Sequence, residues 1–136
     1  MGSQSKPGAG RPLSPHLQVW KFHPTMLSSI LHRASGVVNA IGAILVTIWL
    51  LLVASGPQAY AIWEGLRAGP LGILVTLAMI AFTLSLVYHL LNGLRHLVWD
   101  AGKGFDPAGS NARSVMIFIA SLVLTALLWV FAGGVI

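Results

Sequence analysis

Apolar side chains run through this sequence in three long blocks, and polar ones collect between them. No Asp, Glu, Lys or Arg occurs from Ala34 to Trp63, from Ala68 to Leu94, or from Ser114 to Ile136. A helix that crosses a bilayer needs about 20 mainly apolar residues, and each gap is long enough. The pattern predicts an all-α integral membrane chain with three transmembrane helices, over about residues 27–54, 69–99 and 112–134. "SGPQAYAIWEGLRAGP" interrupts the apolar pattern twice with Gly and Pro and reads as the first connection. "DAGKGFDPAGSN", dense in turn residues, reads as the second. Residues 1–26 form a polar lead-in ending in an extended or short interfacial segment, with Trp20 and Phe22 at headgroup level. Residues 27–136 form the three-helix membrane domain.

Composition sharpens the class. Charged residues make up 8% of the chain and hydrophobic ones 56%, whereas a soluble domain carries about 25% charged residues. There is no Cys, which excludes disulfides and thiolate metal sites. The apolar block that follows the lead-in is too long for a signal-peptide core, so no secretory leader is expected. "MGSQSK" has Lys6 where a myristoylation signal needs Ser or Thr.

The net charge of +5 reads as topology control, with no nucleic-acid partner expected. Lys6, Arg11, Lys21 and Arg33 lie on the N-terminal side, and Arg95, Lys103 and Arg113 flank the second connection. The first connection has only Arg67. The positive-inside rule then puts the N-terminus and the second connection in the cytoplasm and the C-terminus outside.

The chemistry sits at the cytoplasmic end. In the second helix His89, Gly93, His96 and Asp100 share one stripe, at i, i+4, i+7 and i+11. His89 lies about 16 Å before Asp100 along the axis, well inside the hydrocarbon. The first helix, running the other way, brings Ser29, His32, Arg33 and Gly36 to the same leaflet. A deep imidazole has two uses: a hydrogen bond to a neighbouring helix, or an axial bond to haem iron. Gly93 would let a porphyrin approach, and His96, Arg95, His32 or Arg33 would meet its propionates. The residues alone leave both uses open. Arg95 and His96 equally suit snorkelling into headgroups. Ser28, Ser29 and Ser35 suit bonds within their own helix. Tyr88 and Trp99 suit packing or the aromatic belt, and Asn39 suits a bridge to another helix. Gly36 and Gly42 permit close helix approach, and three helices favour a partner chain.

"SILHRASG" at 29–36 and "HLLNGLRHLVWD" at 89–100 complete two motifs, S-x-x-H-R-x-S-G and H-x-x-x-G-x-R-H-x-x-x-D. In these, and in the lead-in "RPLSPHLQVWK", the chain resembles the cytochrome b membrane-anchor subunit of succinate dehydrogenase, the C subunit of respiratory complex II. The likeness is to the alphaproteobacterial and mitochondrial branch and spans about residues 11–134. It implies a bundle completed by a second membrane-anchor subunit. It implies His89 as an axial ligand of a shared b-type haem, with His96, His32 and Arg33 at the propionates. It implies Ser29 and Arg33 at a ubiquinone site, and docking of iron–sulfur and flavoprotein subunits. The expected location is the bacterial inner membrane, with the C-terminus periplasmic. A fumarate reductase anchor using menaquinol is a rival within the class. A small proton or solute channel is a rival outside it, although internal repeats and broken helices are not seen.

Overall fold

A computed structural model describes residues 20–133, so most of the lead-in and the last three residues lie outside it. The order is α1 (Pro24–Ala54), α2 (Pro57–Ala68), α3 (Gly72–Asp100) and α4 (Pro107–Gly133). α1, α3 and α4 are long and apolar enough to cross a membrane. At 1.5 Å per residue the shortest of them is about 40 Å long, more than the roughly 30 Å hydrocarbon core. α3 packs along both α1 and α4, which touch each other less.

Burial is inverted relative to a soluble domain. Among the described residues, Tyr88 is the one buried hydrophobic side chain. Ser28, Ser35, Asn92, Arg95, Ser110, Ser114, Ser121 and Thr125 are buried, while Leu, Ile, Val and Phe face outward along every span. Lipid is as apolar as leucine, so helices in it associate through small residues and hydrogen bonds. Both devices are present. A Cβ at Gly42 would overlap the Phe82 ring, and one at Gly36 would sit 3.3 Å from His89 Cε1. Asn39 bridges helices as expected, its Oδ1 accepting a 2.7 Å bond from Ser85 Oγ.

α2 lies within the first connection, where a 12-residue helix occupies the chain between the two Gly and Pro pairs. Pro57 stands in its first turn, where a missing N–H costs nothing. Ala59, Tyr60 and Trp63 are half-buried, and Ile62 and Leu66 are exposed.

The second connection is shorter than read. α3 ends in a Schellman turn: Gly102 N–H donates to the Trp99 carbonyl and Lys103 N–H to that of Val98. Gly102 adopts φ 74°, the left-handed conformation this turn needs. Asp106 then caps α4, accepting a 2.7 Å bond from Gly109 N–H. Trp99 Nε1 and Arg113 Nη2 both donate to the Gly104 carbonyl, and Arg113 pairs with Asp106 at 3.0 Å.

Candidate functional site

α1 and α3 run antiparallel, so the start of one meets the end of the other. The site grows from that crossing. His32 and His89 stack with ring centroids 4.0 Å apart and planes at 14°. His96 lies 4.9 Å from His32, with its ring tilted by 38°. Gly36 admits this contact, since it places no side chain against the His89 ring. The rings stack and do not converge. Among the described residues, no group of three or more His, Cys, Asp or Glu side chains is arranged to hold a metal ion.

Proton bookkeeping orients His89. Ser35 Oγ donates to the His32 carbonyl at 2.8 Å. His89 Nδ1 lies 3.2 Å from that same carbonyl and 3.0 Å from Ser35 Oγ. A carbonyl has no proton to give, so its bond with Nδ1 needs the ring proton there. Nδ1 therefore carries the ring proton, and the lone pair is on Nε2. His96 follows the same rule: its Nδ1 lies 3.0 Å from the Asn92 carbonyl, so Nδ1 donates there too.

This arrangement fits an axial haem ligand. A ligating imidazole characteristically donates its other N–H to a carbonyl or carboxylate, which fixes the ring and its tautomer. A Cβ at Gly93, one turn beyond His89, would meet nothing within 4 Å, so a flat group has room there. His32 Nδ1 is buried without a partner, an unspent polar atom beside the same rings. Ser29 is half-buried and Arg33 exposed, one helical turn apart on α1. Asp100 is exposed at the end of the stripe.

Beside the imidazoles lies a cluster that the sequence reading missed. Arg95 is 5% exposed and so does not snorkel. Its Nη1 donates to Ser28 Oγ at 2.7 Å and to Asn92 Oδ1 at 3.0 Å, and its Nη2 donates to Ser110 Oγ at 3.3 Å. Ser28 Oγ donates in turn to Asn92 Oδ1 at 2.9 Å, so it bonds across helices and not within its own. Tyr88 Oη donates to the Ser28 carbonyl at 3.0 Å, adding a bond to its packing role. Trp99 stacks over the guanidinium, 4.2 Å from ring centroid to Cζ. These contacts tie α1, α3 and α4 together. The signal was available: Tyr88, Asn92, Arg95 and Trp99 repeat the i, i+4, i+7, i+11 spacing of the histidine stripe, one residue earlier. Asn92 is fully buried at the centre of it.

The chain is similar to known proteins along most of its length. A family model described as the succinate dehydrogenase/fumarate reductase transmembrane subunit matches residues 8–128. The succinate dehydrogenase cytochrome b556 subunit of Rickettsia prowazekii (strain Madrid E) is 36% identical over 120 residues, covering 88% of this chain and 91% of that protein. The cytochrome b556 subunit of Paracoccus denitrificans is 39% identical over 117 residues, 86% of this chain and 88% of that one. The human mitochondrial cytochrome b560 subunit is 36% identical over 121 residues, 88% of this chain and 68% of its own length. With the membrane-spanning bundle and the two histidine-bearing helices, this match establishes that the chain belongs to the succinate dehydrogenase/fumarate reductase transmembrane subunit family.

Proposed function

We propose that this chain is the cytochrome b anchor of a succinate:ubiquinone oxidoreductase, holding a b-type haem and a ubiquinone site together with a second membrane-anchor subunit. The observation that carries the reading is the place of His89 Nδ1, 3.2 Å from the His32 carbonyl and 3.0 Å from Ser35 Oγ. It leaves Nε2 as a free Lewis base on a membrane-embedded helix. His89 would hold the haem iron through that nitrogen, together with a ligand from the second anchor. His32, His96 and Arg33 would hold its propionates. When bound, the haem would supply a one-electron carrier.

The rest of the work belongs to this chain's own groups. Ser29 offers a hydroxyl to a quinone carbonyl, and Arg33 offers charged N–H donors. As the quinone is reduced, Arg33 stabilises negative charge on its oxygen until protons arrive. The iron–sulfur and flavoprotein subunits dock at the end bearing the α3–α4 connection. Succinate itself is oxidised outside this chain.

Lys21, Arg33, Lys103 and Arg113 gather at that same end, against Arg67 on α2 at the other. That end is cytoplasmic, in a bacterial inner membrane. Lys103 and Gln58 are both exposed, and the chain has no cysteine of its own. In membrane vesicles, Lys103→Cys reacts with an impermeant maleimide only from the cytoplasmic side, and Gln58→Cys only from outside. The opposite pattern overturns the orientation.

A reduced-minus-oxidised spectrum of the assembled complex tests the haem reading, since a channel or a haem-free anchor gives no cytochrome b band. The quinone site has its own test. Ser29→Ala and Arg33→Leu each leave a buried acceptor unpaired, at a cost of about 1–3 kcal/mol, or about tenfold or more in succinate-to-quinone turnover. Succinate oxidation with an artificial acceptor that draws electrons upstream stays normal. Normal quinone kinetics in both assembled variants contradicts the assignment. The quinone that co-purifies separates this reading from a menaquinol-using fumarate reductase.

A further inference from the structure

α3 has a second side with a use of its own. At 100° per residue, Leu91, Leu94 and Val98 lie opposite His89, Gly93 and His96. There α3 and α4 leave an open groove of about 250 Å³. Leu91, Leu94, Met116 and Ile117 give it apolar walls, and Arg95 and Arg113 line it toward the α3–α4 connection.

The cationic end is not neutralised. Arg95 is nine-tenths buried and forms no ion pair among the described residues. Three of its five N–H donors are used, and its Nε is buried without a partner. Arg113 is paired with Asp106 through Nη2, and its own Nε is also unpartnered. Two guanidiniums therefore face one carboxylate. In apolar surroundings an uncompensated charge acts strongly on its neighbours, whether or not they touch. Trp99 holds the Arg95 guanidinium in place.

We propose that the α3–α4 groove binds an anionic phospholipid, its phosphate at Arg113 within the field of the buried Arg95 charge and an acyl chain along Leu91, Leu94, Met116 and Ile117. Basic pockets between membrane helices recognise lipid headgroups in this way. A free phosphate ion would leave the apolar walls without a use. A partner chain placed against the imidazole face leaves this groove open, because it is on the opposite side of α3. The inference does not depend on haem being bound.

The test uses the complex purified in mild detergent. Native mass spectrometry compares retention of phosphatidylglycerol and of phosphatidylcholine with the same acyl chains. The expected preference for phosphatidylglycerol is about fivefold for one unneutralised guanidinium. Leu94→Trp with Met116→Trp fills the groove and spares both arginines. Both positions are exposed, so folding is not at stake. This double variant, and Arg113→Gln separately, lose the preference. Millimolar inorganic phosphate does not displace the lipid. Equal retention of the two lipids by the unaltered complex overturns the proposal, as does an intact preference in the double variant. Displacement by phosphate alone reassigns the site to a free anion. Loss of the second anchor from the double variant shows the groove to be a protein interface.

Discussion

The two ends of the bundle are built differently. At the end bearing the α3–α4 connection, cross-helix hydrogen bonds follow each other closely: Thr25 to Asn111, then the Ser28–Asn92–Arg95–Ser110 cluster, then Ser35 with His89. Ser85 with Asn39 closes the series near mid-span. Toward α2, Trp129 Nε1 to Thr83 Oγ1, at 3.3 Å, is the cross-helix side-chain bond among the described residues. There Leu, Ile and Val fill the contacts with lipid. The difference shows where position matters. Donors and acceptors fix direction and register, and a site built from three imidazoles and a guanidinium needs both. Apolar contact holds the far end together without fixing it to the same degree.

Substitution at each end tests that contrast. Asn92→Leu takes the shared acceptor from Ser28 and Arg95, leaving buried donors unpaired, for a loss of about 1–3 kcal/mol. Thr83→Val at the sparse end removes one bond of the kind worth about 0.6 kcal/mol inside a membrane. Unfolding from mild into denaturing detergent measures both. Equal losses would remove the contrast.

The smallest expected effect lies in the connection. The Arg113 guanidinium, bonded to Asp106, holds its carboxyl below the usual carboxylate range. A lowered pKa in the folded chain means that the contribution to stability is present above the ordinary value, near 4, and fades as pH falls through the lowered one. The stability difference between the unaltered chain and Asp106→Asn is therefore flat from about pH 7 to 5 and shrinks below about pH 4. A difference that grows in acid would contradict the pairing.

Much of the fold was legible because charge-free runs are long and membrane length sets a threshold. The boundaries were less so. Pro24, Pro57 and Pro107 fell in stretches read as lead-in or connection, although each begins a helix, where proline is at home. Asp106–Pro107 is a cap followed by a first-turn proline, and reading it so moves the start of α4 back from about 112 to Pro107. The histidine stripe was visible because imidazoles are conspicuous among apolar residues. The companion stripe was not, because serine, asparagine and tyrosine show their importance only through partners on other helices. Arg95 misled for a physical reason: its side chain is long enough to reach the headgroups, and only the acceptors on α1 and α4 turn it inward.

The central claim is that His89 binds haem iron through Nε2. The direct measurement is the low-temperature electron paramagnetic resonance and optical spectrum of the assembled complex carrying His89→Ala. The account predicts loss of the low-spin, bis-imidazole signature, even where an imidazole of the second anchor retains some haem. An unchanged low-spin cytochrome b spectrum in that variant would contradict it.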